Sequence, residues 1–223
     1  MSKHKLLPPI TGFFTAALLL SNLLGAKIFS VAGVSFPASV LIFPISYVFG
    51  DILTEVYGYA ASRRVVWTGF ISLIVAAAFF EAAKALPPAP FWHHQEAFET
   101  VFAQTPRIVM GSILGYFSGE FLNSYVLAKM KVHFHGAQMW WRFVASTVVG
   151  EFVDTAIFCS VAFWGSMPDA ELAALVFSAW LAKVLWEIFA LPISIPLARW
   201  LKRVENEDCF DTKTNFNPFV VLE

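Results

Sequence analysis

Charge is scarce in this chain. Only 14% of its 223 residues are Asp, Glu, Lys or Arg, against roughly 25% in an ordinary soluble domain, and a surface so poor in charge excludes a conventional soluble protein. The net charge of −1 says nothing by itself about partners, and no nucleic-acid partner is expected. Cysteine is nearly missing: Cys159 and Cys209 make neither a disulfide framework nor a metal spacing. His93 and His94 have no third ligand near them, and no metal or other cofactor is expected. Also absent are an HExxH helix, a G-x-S-x-G elbow, a Walker loop and any histidine within an apolar run, which counts against catalysis. The enzyme alternative that survives is a two-carboxylate intramembrane protease using Asp51, Glu151 and Asp154.

What the chain has is apolar length. Hydrophobic residues make up 58%, including 24 Phe, and the mean hydropathy is +0.66. Six stretches approach the ~20 residues that cross a bilayer: 10–26, 36–56, 65–86, 108–128, 143–164 and 172–197. The fold class expected is an all-α membrane protein, a single domain of six transmembrane helices in a lipid bilayer, with a polar, frayed cytoplasmic tail at 204–223. Lys3 and Lys5 ahead of the first run resemble an export signal, but no small-residue cleavage site follows, so the run reads as a retained span. Basic residues alternate by side. Lys3, Lys5, Arg63, Arg64, Lys129, Lys131, Arg142, Arg199, Lys202 and Arg203 fall on one side, and only Lys27, Lys84 and Arg107 on the other. The positive-inside rule then puts both termini in the cytoplasm. Between the third and fourth spans, Phe91, Ala97, Phe98, Val101 and Phe102 predict a short interfacial helix. Trp67, Trp92, Trp140, Trp141, Trp164 and Trp200 fall near span ends, as an aromatic belt would.

Inside the apolar runs lie Asp51, Glu55, Glu81, Lys84, Glu120, Glu151, Asp154, Lys183 and Glu187, with Asn22 and Asn123. Each charge at a helix centre costs at least about 2.5–3.5 kcal/mol to insert. Counting a rise of about 1.5 Å per residue places Glu120 and Glu151 at one depth, with Lys183 and Asp154 within a turn and Asn22, Asp51, Asn123 and Glu187 about a turn beyond. Glu81 and Lys84 come out near the outer edge and can pair at i,i+3. The i,i+3 and i,i+4 pairs Glu151/Asp154, Asp51/Glu55 and Lys183/Glu187 each share a face, as lining a common polar cavity requires. Trp180 lies in the last span, where an indole can stack on a flat ligand. Small residues Gly111, Ser112, Gly115, Gly119, Ser146 and Gly150 predict close approach of the fourth and fifth helices. An ionisable set of this kind marks a substrate or ion path more often than packing.

The stretches "FPISYVFGDILTEVYG" (43–58), "RIVMGSILGY" (107–116) and "RFVASTVVGEFVDTAIFCSVAFWG" (142–165) resemble the VUT family, the YhhQ-type queuosine precursor transporters. The similarity runs over essentially all six spans and is most specific at Arg142, Ser146, Thr147, Asp154, Thr155, Phe158, Ala162, Phe163 and Gly165. It implies uptake across the cell inner membrane of the 7-deazaguanine bases preQ0 and preQ1, with a fold similar to ECF substrate-binding subunits. The family's amides at the positions of Glu120 and Glu151 imply that those two act by hydrogen bonding. A deazaguanine edge of N–H donors beside a carbonyl suits a carboxylate and a cation: Asp154 for the first, Lys183 or Asn22 for the second. A binding subunit that borrows an energising partner is the alternative to a solitary carrier, and facilitated and proton-coupled transport through Asp51, Glu55 or Asp154 both remain open, as does a homodimer.

Overall fold

The computed structural model describes residues 4–24, 27–31, 34–102 and 106–220. It is a bundle of helices: α1 (Leu7–Leu24), α2 (Phe43–Tyr57), α3 (Tyr59–Ala85), α4 (Gln95–Phe102), α5 (Pro106–His133), α6 (Met139–Phe163) and α7 (Asp169–Glu205). Four of them, α1, α3, α6 and α7, are long and apolar enough to cross a membrane. Their outward rings and branched chains, Phe13, Phe79, Phe189 and Ile193 among them, are exposed, as lipid-facing side chains are. Helix α7 continues for 37 residues through Pro192 and Pro196, which neighbouring helices make tolerable in a membrane bundle.

The region predicted as the second span differs from a single helix. An antiparallel hairpin pairs β1 (Ile28–Val31) with β2 (Val34–Pro37), in the register Ile28↔Pro37 to Val31↔Val34. A 3₁₀ turn, Ala38–Leu41, follows, and only then α2, 15 residues long or about 22 Å. Pro37 and Pro44 explain the late start: neither can donate within a helix, and each biases the residue before it toward extended backbone. The interfacial helix expected after the third span is α4, whose Phe98 and Phe102 rings stack 4.6 Å apart, with Phe80 of α3 4.6 Å from Phe102. Lys84 closes on Glu81 at 2.9 Å as predicted.

As far as residue 220 the tail is ordered against the bundle, not frayed as expected. Past Asn206, which ends α7 in the left-handed region at φ 50°, residues 206–220 run back under the bundle. Both oxygens of Asp211 accept from the Tyr59 amide (3.1 and 3.0 Å), which answers an open N–H at the start of α3. Arg63 donates to the carbonyls of Asn215 and Asn217 (2.8 Å each), and Trp67 Nε1 to that of Pro218 (2.7 Å). Phe216 packs on Tyr59 and Tyr125 with Lys129 Nζ 4.1 Å from its ring centre, and Phe219 packs on Trp67 and Phe117. Trp67 therefore holds the tail rather than serving as a simple interfacial anchor. The first residues of the described chain reach the same end of the bundle, where Glu205 accepts from the amides of Lys5 and Leu6.

Helices α5 and α6, joined by a tight turn through Gly136 at φ 79°, are pressed together along Gly111, Gly115, Gly119 and Gly150, the close approach that the small residues predict. A Cβ on Gly119 would lie 2.5 Å from Asp154 Cβ and 2.9 Å from the Gly150 carbonyl oxygen. One of those contacts is backbone, so the helices themselves would have to part. Gly119→Ala is expected to destabilise the protein by about 1–3 kcal/mol, as overpacking does, read as a lower melting temperature in detergent. An unchanged melt would show that the seam can absorb a methyl group.

Candidate functional site

The glycine seam delivers α6 carboxyls into the middle of the bundle. Asp154 sits against Gly115 and Gly119, and Lys183 of α7 reaches it at 2.5 Å (Nζ to Oδ2) and Glu151 at 2.8 Å. Tyr47 of α2 donates its hydroxyl to the same Asp154 oxygen (3.1 Å), and its ring centre lies 5.8 Å from the Lys183 ammonium. Glu120 of α5 lies against Gly50: a Cβ there would be 2.2 Å from its Oε1. Helices α2, α5 and α7 thus converge on Asp154 of α6, and α5 also brings Glu120 alongside. Glu151, Glu120 and Asp154 are buried, while the Lys183 side chain keeps 27% of its surface exposed, so the edge at Lys183 is the open side of the group.

One turn along α2 and α7 is a second polar set. Asn123 Nδ2 donates to Asp51 Oδ1 (2.7 Å), and Glu187 comes within charge–charge range of Asp51 across the α2–α7 interface. Both carboxyls are buried.

The remaining predicted residues are placed elsewhere. Glu55, at the opposite end of α2 from the hairpin, is gripped by Arg142 through both terminal guanidinium nitrogens, by Lys202 at 2.6 Å and by Lys131 at 3.9 Å. Asp208 of the tail bridges Lys131 (2.5 Å) and Lys202 (2.8 Å). Burial disfavours its charge, but the hydrogen bonds from Lys131 and Lys202 outweigh that and hold its carboxyl below the usual range. Glu55 is therefore committed to a structural ion cluster beneath the central group. The Asn22 amide donates back to the Leu18 carbonyl on its own helix (3.0 Å). Trp180 donates to the Val148 carbonyl (3.0 Å) beside Phe152 and Phe177, both half-exposed, so its indole faces the outer seam of α6 and α7 and not the carboxylates.

Several members were not anticipated. Tyr47, Tyr116, Thr147 and Thr155 are buried polar residues on the faces of Asp51, Glu120 and Glu151. Each lies four residues from one of those acids, a helical spacing that search for charge alone passes over. Among the described residues, buried polar atoms with no hydrogen-bond partner gather here: Tyr116 Oη, Glu120 Oε1, Thr147 Oγ1, Thr155 Oγ1, Asp51 Oδ2, Asn123 Oδ1 and Glu187 Oε1. Buried polar groups are nearly always paired with protein, water or ligand. A concentration of open donors and acceptors within a few helical turns has the chemistry to receive a polar small molecule.

Long apolar helices around this polar cluster define an α-helical membrane protein. The family described as "Putative vitamin uptake transporter" matches residues 37–197, and the chain belongs to it. This is a family of transporters, and the protease alternative falls with that assignment. Among curated proteins, the chain is 33% identical over 143 residues to the "Probable queuosine precursor transporter" of Bacillus subtilis (strain 168), covering 64% of this chain and 62% of that one. It is 25% identical over 177 residues to the "Queuosine precursor transporter" of Escherichia coli (strain K12), covering 77% and 74%. No solved structure matches.

Proposed function

We propose that the chain is an inner-membrane uptake transporter for 7-deazaguanine precursors of queuosine, preQ0 and preQ1, crossing the membrane six times with both termini in the cytoplasm. The six crossings are α1, the hairpin with α2, α3, α5, α6 and α7. Support for the orientation comes from Lys5, Arg63, Lys131, Arg142 and Lys202, which gather at one end with the tail. The names of both relatives support the substrate class.

The observation that carries the reading is the clasp of Asp154 and Glu151 on Lys183, completed by Tyr47. The base enters by exchange. Asp154 gives up Lys183 and accepts the N–H donors along the pyrimidine edge, while the freed ammonium turns to the ring carbonyl. Lys183 takes that role over Asn22, whose amide donates within its own helix. Glu120 and Glu151 flank the base as hydrogen-bonding groups, and the ring of Tyr47 supplies an aromatic face. Asp51 and Glu187, a turn away, do not touch it.

Titration of purified protein with preQ0, preQ1, guanine and unrelated vitamins, followed by uptake into liposomes containing this protein alone, tests the proposal. Saturable binding of the deazaguanines, at least about tenfold tighter than the vitamins, with uptake by the protein alone, is expected. Preference for a vitamin overturns the substrate class, and uptake that requires a second protein overturns the solitary carrier in favour of a binding subunit.

A further inference from the structure

The base site leaves Asp51 and Glu187 unexplained. Asp51 is 0% and Glu187 4% exposed, and Asp51 Oδ2, Glu187 Oε1 and Asn123 Oδ1 have no hydrogen-bond partner. These three open acceptors come from α2, α7 and α5. Among the described residues, no Lys, Arg or His pairs with either carboxyl. On α7 the nearest cation is Lys183, four residues before Glu187 but held by Asp154 and Glu151. On α2, Glu55 takes up Arg142, Lys202 and Lys131. Helix α5 adds Glu120, a further acid near Asp51, and α1 carries no ionisable residue. From α3, Arg63 is bound to the tail.

Two like charges this deep, without a cation, do not both persist. An unpaired buried ion costs several kcal/mol, and a like charge within charge–charge range makes ionising the second carboxyl costlier still, so one of the two stays protonated. A proton on one of the two carboxyls removes that cost and needs no further ligand.

We propose that Asp51 and Glu187 form a proton-binding site, separate from the base site, whose occupancy closes α2 against α7 and so couples proton binding to base binding. The link is mechanical. Packing α2 on α7 brings Asp51 to Glu187, and the same packing brings Tyr47 of α2 and Lys183 of α7 together on Asp154. Loss of the proton leaves two carboxylates repelling across that interface and loosens the base site with it. Proton and base therefore favour one arrangement and must strengthen each other's binding. The sign follows: affinity for the base is full at low pH and falls as pH rises past the point where the pair loses its proton, by about tenfold per pH unit for a single linked proton.

This inference rests on the deazaguanine reading, and the two fail differently. Isothermal titration with preQ0, which is uncharged and brings no titrating amine, is run in buffers of different ionisation enthalpy across pH 5–9. Proton uptake per base bound is expected to rise from near zero at low pH, where the pair is already protonated, toward one at alkaline pH, where the affinity falls. Glu187→Gln, which mimics the protonated acid, is expected to bind without proton uptake and with a flat pH profile, and Asp51→Asn to do the same. Binding by the wild type with no proton uptake at any pH from 5 to 9 overturns the coupling while leaving the substrate reading intact, whether or not either variant folds. Persistence of proton uptake in both variants overturns the assignment to these residues. No preQ0 binding at any pH overturns the substrate reading and this one together.

Discussion

Glu55→Ala is expected to cost about 3–5 kcal/mol of stability, the range for stranding a buried ion by removing its partner. Arg142 is fully buried and places both terminal guanidinium nitrogens on Glu55. Its other contacts, the carbonyls of Ala137 and Gly136 at 2.9 and 3.1 Å, are neutral and leave the charge uncompensated. Lys131 and Lys202 fare better, because both keep Asp208. Arg142→Met is expected to be milder, since Glu55 then retains Lys202 at 2.6 Å. The double variant Glu55→Met with Arg142→Met should be more stable than Glu55→Ala, because replacing a buried pair with apolar groups costs less than breaking it. Melting curves of the detergent-solubilised variants check the order. A Glu55→Ala protein that melts within about 1 kcal/mol of wild type would mean that water reaches the cluster and solvates the orphaned guanidinium.

That cluster also marks the limit of what could be read from the chain. Depth along a helix was legible: counting residues put Glu120, Glu151, Asp154 and Lys183 at one level, and the structure joins Lys183 to Asp154 and Glu151. Azimuth and long-range partners were not. Asp51 and Glu55 share a helix face one turn apart, yet one meets Asn123 and the other three cations, which depends on where α5, α6 and α7 cross α2. The seam of α5 on α6 was legible because Gly111, Gly115 and Gly119 recur every four residues, a local pattern. The hairpin was hidden because its two four-residue strands fall almost wholly in the gap between the first two apolar runs, too short for a period-2 alternation to stand out. The tail was hidden because its average is polar, while its hold on the bundle comes from Phe216, Phe219 and Asp211 meeting residues some 150 positions earlier. Tyr47 was missed for its neutrality, though it stands four residues before Asp51.

Asp154→Ala is expected to abolish base binding, with a loss of about a hundredfold or more, and to leave a folded protein in the membrane. Two hydrogen bonds to a charged acceptor are each worth about 1.5–3 kcal/mol, and together they account for a loss of that size. Folding is spared because the substitution strands no ion: Lys183 keeps Glu151 at 2.8 Å, and Tyr47 loses one hydrogen bond of 3.1 Å. Asp154→Asn separates charge from shape. The amide fills the same space against Gly115 and Gly119, but it presents an NH₂ to the N–H edge of the base, so donor meets donor and binding is expected to fail as well. Glu151→Gln is the contrast, because an amide there still accepts a hydrogen bond and Lys183 keeps Asp154 at 2.5 Å, so affinity should fall by less than about tenfold. A binding titration with preQ0 and preQ1, alongside melting curves, distinguishes the roles. Intact affinity in folded Asp154→Asn would make Asp154 a helix clasp and nothing more. A complete loss in Glu151→Gln would move the edge contact from Asp154 to Glu151, at the other end of the same Lys183 bridge.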